Sequence, residues 1–283
     1  MGYRIKTVSE MLRVPRNTLL AWERRYQVVS PARQDNGYRE YSESDVTRLR
    51  EVKRLIDDGY KVSEAISMLR VREQRTHRQQ AAQPILQSVC DELLSALLRY
   101  DRATADEITR RMHAISFRQQ IESIYFPMLR AVGEGWCSGD VSIAQEHYVS
   151  AFCRERMLAM LLSLECGPLH GPLVICAGFP GERHDLSLVA LAVLLAMRGK
   201  RILFLGADVP LEELQRLNGE KAPEMTCISV MMPRPVSEIA SFAAGLSGSS
   251  AGRVVIGGRG LPPAGVLPVL PSVEWHHTMD DII

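Results

Sequence analysis

The chain has 283 residues, 46% of them hydrophobic and 24% charged. That length predicts two or three domains at ~100–200 residues each, and the composition excludes a mainly disordered, collagen-like or disulfide-knotted chain. The longest apolar run, Leu188 to Met197, is far short of the ~20 residues a bilayer span needs, and Met1 to Lys6 holds no apolar signal core. A cytoplasmic protein without a membrane partner is expected. Six cysteines with no CxxC pair fit reduced, packed thiols better than disulfides or a zinc knot.

The net charge of +1 hides an asymmetry. Residues 1–80 carry 17 Lys+Arg against 11 Asp+Glu, or +6, while the remainder carries 17 against 22, or −5. A basic head on an acidic body points to a polyanionic partner for the head alone.

In the head, Val8 to Leu12 reads as a short helix, Arg13-Val14-Pro15 as a turn, and Asn17 to Tyr26 as a second helix with Leu19, Leu20 and Trp22 as its packing residues. The second helix offers Arg16, Asn17 and Thr18 at its start and Arg24, Arg25 and Tyr26 at its end, the arrangement by which a recognition helix gives side chains to bases and cations to phosphates. Asn36-Gly37 is a hairpin signal, so a small two-stranded wing carrying Tyr38 and Arg39 is expected. A capped helix then runs from Ser42 to Asp58. The run from Ile5 through Leu19-Leu20-Ala21-Trp22-Glu23-Arg24-Arg25-Tyr26 to Gly37-Tyr38-Arg39-Glu40-Tyr41 resembles the DNA-binding domain of MerR-family regulators, assigned to 1–70. Taken singly, each arginine is equally accounted for as a solvated charge.

Residues 71–84, rich in Arg, Gln and Thr without apolar periodicity, read as an exposed linker ending at Pro84. Four helical stretches follow, Ile85–Tyr100, Thr104–Ile115, Phe117–Trp136 and Ser142–Leu164, and predict an antiparallel four-helix bundle over 85–167. Val89, Leu93 and Leu97 make the apolar face of the first; Ile143, His147, Ala151 and Phe152 are read as that of the last. Trp136 closes one helix and Glu146-His147 opens the next, so an αα-hairpin brings the three close. By spacing alone Trp136 also suits a core aromatic, and Glu146 an acidic residue favoured by the helix dipole.

From 171 the pattern alternates. Leu173–Ala177, Arg201–Leu205, Thr226–Met231 and Arg253–Ile256 read as buried strands, and His184–Met197, Leu211–Leu217 and Val236–Leu246 as helices, which predicts a doubly wound, flavodoxin-like parallel sheet over 171–283. Ligands of such sheets bind beyond the strand carboxyl ends at the switch point, so the loops at 178–187 and 229–235 should face one crevice. The first loop lacks GxGxxG and no Walker loop is present. It carries instead His184 between carboxylates, with Glu182 the nearest group able to orient the imidazole toward a metal.

Glu182-x-His184-x-x-Ser187, then Ser229-Val230-Met231, then Gly257-Gly258 is similar to the cobalamin-binding pattern DxHxxG…SxL…GG of methionine-synthase-like domains. Trp136, nine intervening residues and Glu146-His147 resemble the signature of CarH-type light-responsive repressors. The resemblance implies adenosylcobalamin as cofactor, with His184 as lower ligand of its cobalt and the nucleotide tail entering the sheet past Ser187, Ser229, Met231, Gly257 and Gly258. Trp136, Cys137, Glu146 and His147 would lie over the upper face. It further implies a non-enzymatic repressor that binds promoter DNA as a homo-oligomer, a tetramer in the dark, and separates in light. Ser187 stands where the pattern has glycine, and Cys137 where the light-responsive repressors have a histidine. Those departures sustain an alternative: a MerR-type regulator whose site is degenerate and which acts independently of cobalamin or light.

Overall fold

The computed structural model describes residues 2–33, 38–165, 171–249, 252–263, 265–279 and 281–282, with the backbone alone over 72–82. Two compact units emerge, Met1–Pro84 and Ile85–Ile283.

In the first unit α1 (Ile5–Leu12) ends where Arg13 turns left-handed at φ 53°, and α2 (Arg16–Tyr26) follows after Pro15. Ser9 Oγ donates to the Val14 carbonyl at 2.7 Å and holds the intervening turn. β1 (Ala32–Arg33) and β2 (Arg39–Glu40) pair antiparallel as the wing; the Asn36-Gly37 turn lies outside the described residues. Ser42 caps α3 (Glu43–Asp57) in a capping box with Asp45. Val8, Leu12, Leu19, Trp22, Val46, Leu49 and Val52 form the core with Ile66 and Leu69. This is the expected winged helix-turn-helix.

Ile66 and Leu69 belong to α4 (Val62–Leu98), which corrects one expectation: residues 71–84 are helical rather than an irregular linker. Arg, Glu, Gln and Ala are good helix formers, and lack of an apolar stripe says that a helix has no packing face, not that its backbone is irregular. Pro84 stays inside the helix.

In the second unit the bundle comprises the end of α4, α5 (Arg102–Arg111) with a 3₁₀ turn over Met112–Ala114, the run from α6 (Phe117–Gln120) to α7 (Phe126–Ser138), and α8 (Ile143–Glu165). One π-helical turn, Ile121–Tyr125, joins α6 to α7. Pro127 lies just beyond it; its ring would crowd the carbonyl of Ser123, four residues back, in a regular α-helix, and the wider turn relieves that clash. The core face of α8 is Val149, Phe152, Cys153, Met157, Met160 and Leu161. The expected face fails except at Phe152, because Ile143, His147 and Ala151 are exposed. Two stripes of this helix obey the same spacing, and periodicity alone cannot choose between them.

The sheet orders its strands β4-β3-β5-β6-β7, all parallel: β3 (Leu173–Gly178), β4 (Arg201–Gly206), β5 (Met225–Ser229), β6 (Arg253–Gly257) and β7 (Val273–His276). β7 was not anticipated, since Val-Glu-Trp-His on an edge has no buried-strand signature. α10 (Leu211–Lys221) and α11 (Val236–Ser247) pack on one face through Leu214, Ile239 and Phe242 against Ile175, Ile228 and Val254. α9 (Leu186–Ala196) takes the other and also packs on α8, so Leu188 through Ala196 are buried on every side. Bundle and sheet therefore form one compact unit.

Candidate functional site

On the head, Arg16, Asn17, Arg24 and Arg25 are exposed and Thr18 and Tyr26 half-buried, so α2 presents both ends to solvent while Leu19 and Trp22 anchor its middle. Tyr38 is exposed on the wing, with the Arg4 guanidinium 5.8 Å from its ring centre. Arg39 differs from its expected role as a free cation. Its Nε lies 2.9 Å from Glu23 Oε1, an ion pair that ties wing to recognition helix.

At the sheet, Gly178 and Ser229 are register partners at the carboxyl ends of β3 and β5, from which the chain leaves in opposite directions around the sheet. The two loops do converge there. Glu182, 1% exposed, accepts the backbone N–H of Met231 and Met232 on Oε2 at 2.9 and 2.7 Å, and that of His184 on Oε1 at 2.9 Å. β5 ends at Ser229, earlier than expected, and this frees the Met231 amide for the contact. Burial pushes the Glu182 carboxyl up, but the amides and the His184 ring outweigh it, and the net effect holds it below the usual carboxylate range.

His184 precedes α9 rather than opening it, because α9 begins at Leu186. Its Nδ1 lies 2.6 Å from Glu182 Oε1 while its side chain is 63% exposed. With the Nδ1 proton donated to a carboxylate, the Nε2 lone pair is left outward, the arrangement in which a histidine ligates a metal through one nitrogen and is oriented through the other. These donors fit an axial ligand for cobalt. Ser187 is half-buried in the first turn of α9, and Ser229 is buried. Gly258 has a local reason to be glycine: at φ +131°, an added Cβ would stand 2.2 Å from the Val230 carbonyl oxygen. At Gly257 an added Cβ would meet the His276 carbonyl at 3.0 Å. The neighbouring backbone of the protein itself occupies the space that the sequence pattern reserves for a ligand's approach.

In the bundle, Gly139 at φ 86° ends α7, and the Asp140 and Val141 amides both donate to the Gly135 carbonyl at 2.8 and 3.0 Å, closing a tight hairpin. Trp136 is 53% exposed, which excludes its reading as a core aromatic, and Cys137 is exposed beside it. Across the hairpin, Glu146 Oε2 lies 2.6 Å from His147 Nδ1, and Ser150 Oγ donates to Glu146 Oε1 at 2.7 Å. An aromatic ring, a thiol, a carboxylate and an imidazole thus cluster at one end of α7 and α8. Sequence reasoning missed Arg154 and Asp185, which pair between α8 and the residue after His184. Thirty-one positions separate them, and no local pattern announces the pair.

The description "MerR HTH family regulatory protein" matches residues 3–71, and "B12 binding domain" matches 89–160. The chain is 32% identical to the HTH-type transcriptional repressor CarH of Myxococcus xanthus, covering 83% of this chain and 81% of that protein. It is 31% identical to CarA of the same organism, over 92% and 88%. Among solved structures, the monomethylamine corrinoid protein of Methanosarcina barkeri superposes with a TM-score of 0.57 at 16% identity, over 69% of this chain and 95% of that one, a likeness of fold.

Proposed function

The chain belongs to the MerR-type repressors that carry a B12-binding domain, the family of CarH and CarA, and from that premise we propose that it is a cobalamin-dependent, light-responsive transcriptional repressor. The observation that carries this reading is the outward Nε2 of His184, set by a buried carboxylate at the mouth of the sheet. His184 would hold the cobalt from below, and Glu182 would keep the imidazole neutral and oriented. Ser187, Ser229, Met231, Gly257 and Gly258 border the lower side.

Adenosylcobalamin, when bound, supplies a cobalt–carbon bond that light cleaves. Trp136 offers a ring face to an adenine, and the Glu146–His147 pair offers an acceptor and a donor to sugar hydroxyls. Cys137 adds a thiol on the same side. In darkness these contacts favour a homo-oligomer, a tetramer, whose several α2 helices bind promoter DNA with avidity. Once light has removed the adenosyl group, the hairpin relaxes, the oligomer separates and DNA is released. The activity is regulatory rather than catalytic and is exercised in the cytoplasm.

The test mixes full-length protein with adenosylcobalamin in the dark, removes free cofactor, and records the visible spectrum and hydrodynamic size before and after green light. Retained corrinoid with a large dark species that shrinks on illumination supports the reading. No retention overturns it. That outcome would favour a regulator acting without cobalamin or light, a reading supported by the Ser187 side chain in the first turn of α9 where the cobalamin-binding pattern has glycine.

A further inference from the structure

The exposed ridge of α8 runs Glu146, Ser150, Arg154 at four-residue spacing, and His147 lies seven residues before Arg154, two turns along the same face. The hairpin cluster and Arg154 are therefore separated by about 10–12 Å along one helix face. At its lower end Arg154 grips Asp185: Nε lies 3.0 Å from both carboxylate oxygens and Nη2 lies 2.7 Å from Oδ2.

Asp185 occupies the N-cap position of α9, where an aspartate normally accepts the amides of its own first turn, yet its side chain makes no capping bond. Only its carbonyl serves the helix, accepting from Val189 N at 2.8 Å. The carboxylate, its side chain 8% exposed, is turned to Arg154 instead. His184 thus sits between two anchored carboxylates. Glu182 fixes it to the loop after β5, and Asp185, the next residue in the chain, fixes the same turn to α8.

We propose that Arg154 is a positioning residue: through Asp185 it fastens the His184 loop to α8, so that the axial imidazole and the Trp136/Glu146/His147 cluster move as one body. The role in cofactor binding rests on the cobalamin reading above; the fastening itself does not. A shift of α8 at the hairpin end would pull on the turn that carries His184, and a change on the upper side of the site would reach the lower ligand without passing through the sheet.

The experiment compares full-length Arg154→Ala, Arg154→Lys and Asp185→Asn with the parent chain, with His184→Ala as control. In cofactor-free protein, amide hydrogen exchange over 183–189 should rise about tenfold in Arg154→Ala while the sheet strands keep their protection. With adenosylcobalamin in the dark, affinity should fall about tenfold and the visible spectrum should shift toward that of the His184→Ala preparation, with partial recovery in Arg154→Lys. Asp185→Asn, which loses the ion pair but can still cap α9, should behave like Arg154→Ala. Unchanged exchange over 183–189 in Arg154→Ala overturns the fastening. Raised exchange with parental affinity and spectrum overturns the coupling to the ligand. If His184→Ala itself retains cofactor normally, the cobalamin reading fails, and the exchange result still decides the fastening.

Discussion

Arg39 of the wing and Glu23 of the recognition helix are cross-linked through both carboxylate oxygens, Nε standing 2.9 Å from Oε1 and 3.1 Å from Oε2. The buried Tyr41 hydroxyl donates to the same carboxylate at 3.2 Å, and burial, with Glu23 beside it, pushes that phenol up to about 12. Glu23 is the hub that sets the angle between α2 and the wing.

Removing that hub's cation should therefore disturb geometry rather than subtract a phosphate contact. Arg39→Ala is expected to weaken promoter binding about tenfold with nearly the parental dependence on salt. Arg24→Ala, which removes an exposed cation at the end of α2, should lower the slope of log K against log salt by about 1. Fluorescence anisotropy across a salt series separates the two. An equal loss of slope in Arg39→Ala would place its guanidinium on a phosphate.

Glu182 is buried and held below the usual carboxylate range, so its ionised form contributes stability that is complete above its unfolded pKa, about 4.5, and disappears as pH falls through the lower folded value. Glu182→Gln puts an NH₂ group among donors, against either the Met231 and Met232 amides or His184. A loss of about 2 kcal/mol at neutral pH is expected, a fall of about 4–8 °C in Tm for the second unit, and the difference between variant and parent should narrow below pH 4.5. Thermal melts from pH 3 to 7 check both, and a pH-independent difference would mean that the carboxylate's charge is not what stabilises the loop.

The reach of short-range signals explains which parts were legible in the sequence. The winged head, the four long strands of the sheet and the convergence of the 182 and 231 loops follow from turn residues, continuous apolar runs and the topology of parallel sheets, all of which act over a few residues or are dictated by chain direction. The functional face of α8 was misread because two stripes share one periodicity; burial of Val149 and Phe152 decides between them, and burial is a tertiary fact. β7 pairs on an edge and needs no apolar signature. Asp185 looks like an ordinary helix cap until Arg154 is seen beside it.

Cys137 offers a test of the hairpin's place in the site that needs no transcriptional readout. Among the described residues Cys90, Cys153, Cys176 and Cys227 are buried and Cys137 is exposed. Burial also pushes the Cys90 and Cys153 thiols up, leaving them little thiolate to react. A thiol-reactive label followed by peptide mapping should modify Cys137 rapidly in the free protein, and adenosylcobalamin in the dark should slow that modification about tenfold. Labelling at the same rate with and without retained cofactor would remove the Trp136–Cys137 corner from the binding surface.

Gly257 and Gly258 form the pair most easily mistaken for ligand contacts, and they differ in what holds them. Gly258 takes φ +131° and abuts the Val230 carbonyl, so Gly258→Ala should destabilise the second unit by several degrees with no cofactor present; its loss of cobalamin would then follow from a displaced loop. Gly257 has ordinary backbone, and its nearest neighbour would be 3.0 Å from an added Cβ, a contact that a shift of a few tenths of an ångström relieves. Gly257→Ala is therefore expected to melt within about 2 °C of the parent. Any loss of adenosylcobalamin affinity in that variant reports crowding of the cofactor itself. Melting and equilibrium binding of both variants resolve the matter, and a Gly258→Ala protein as stable as the parent would show that the Val230 carbonyl can yield and that the glycine is kept for the ligand.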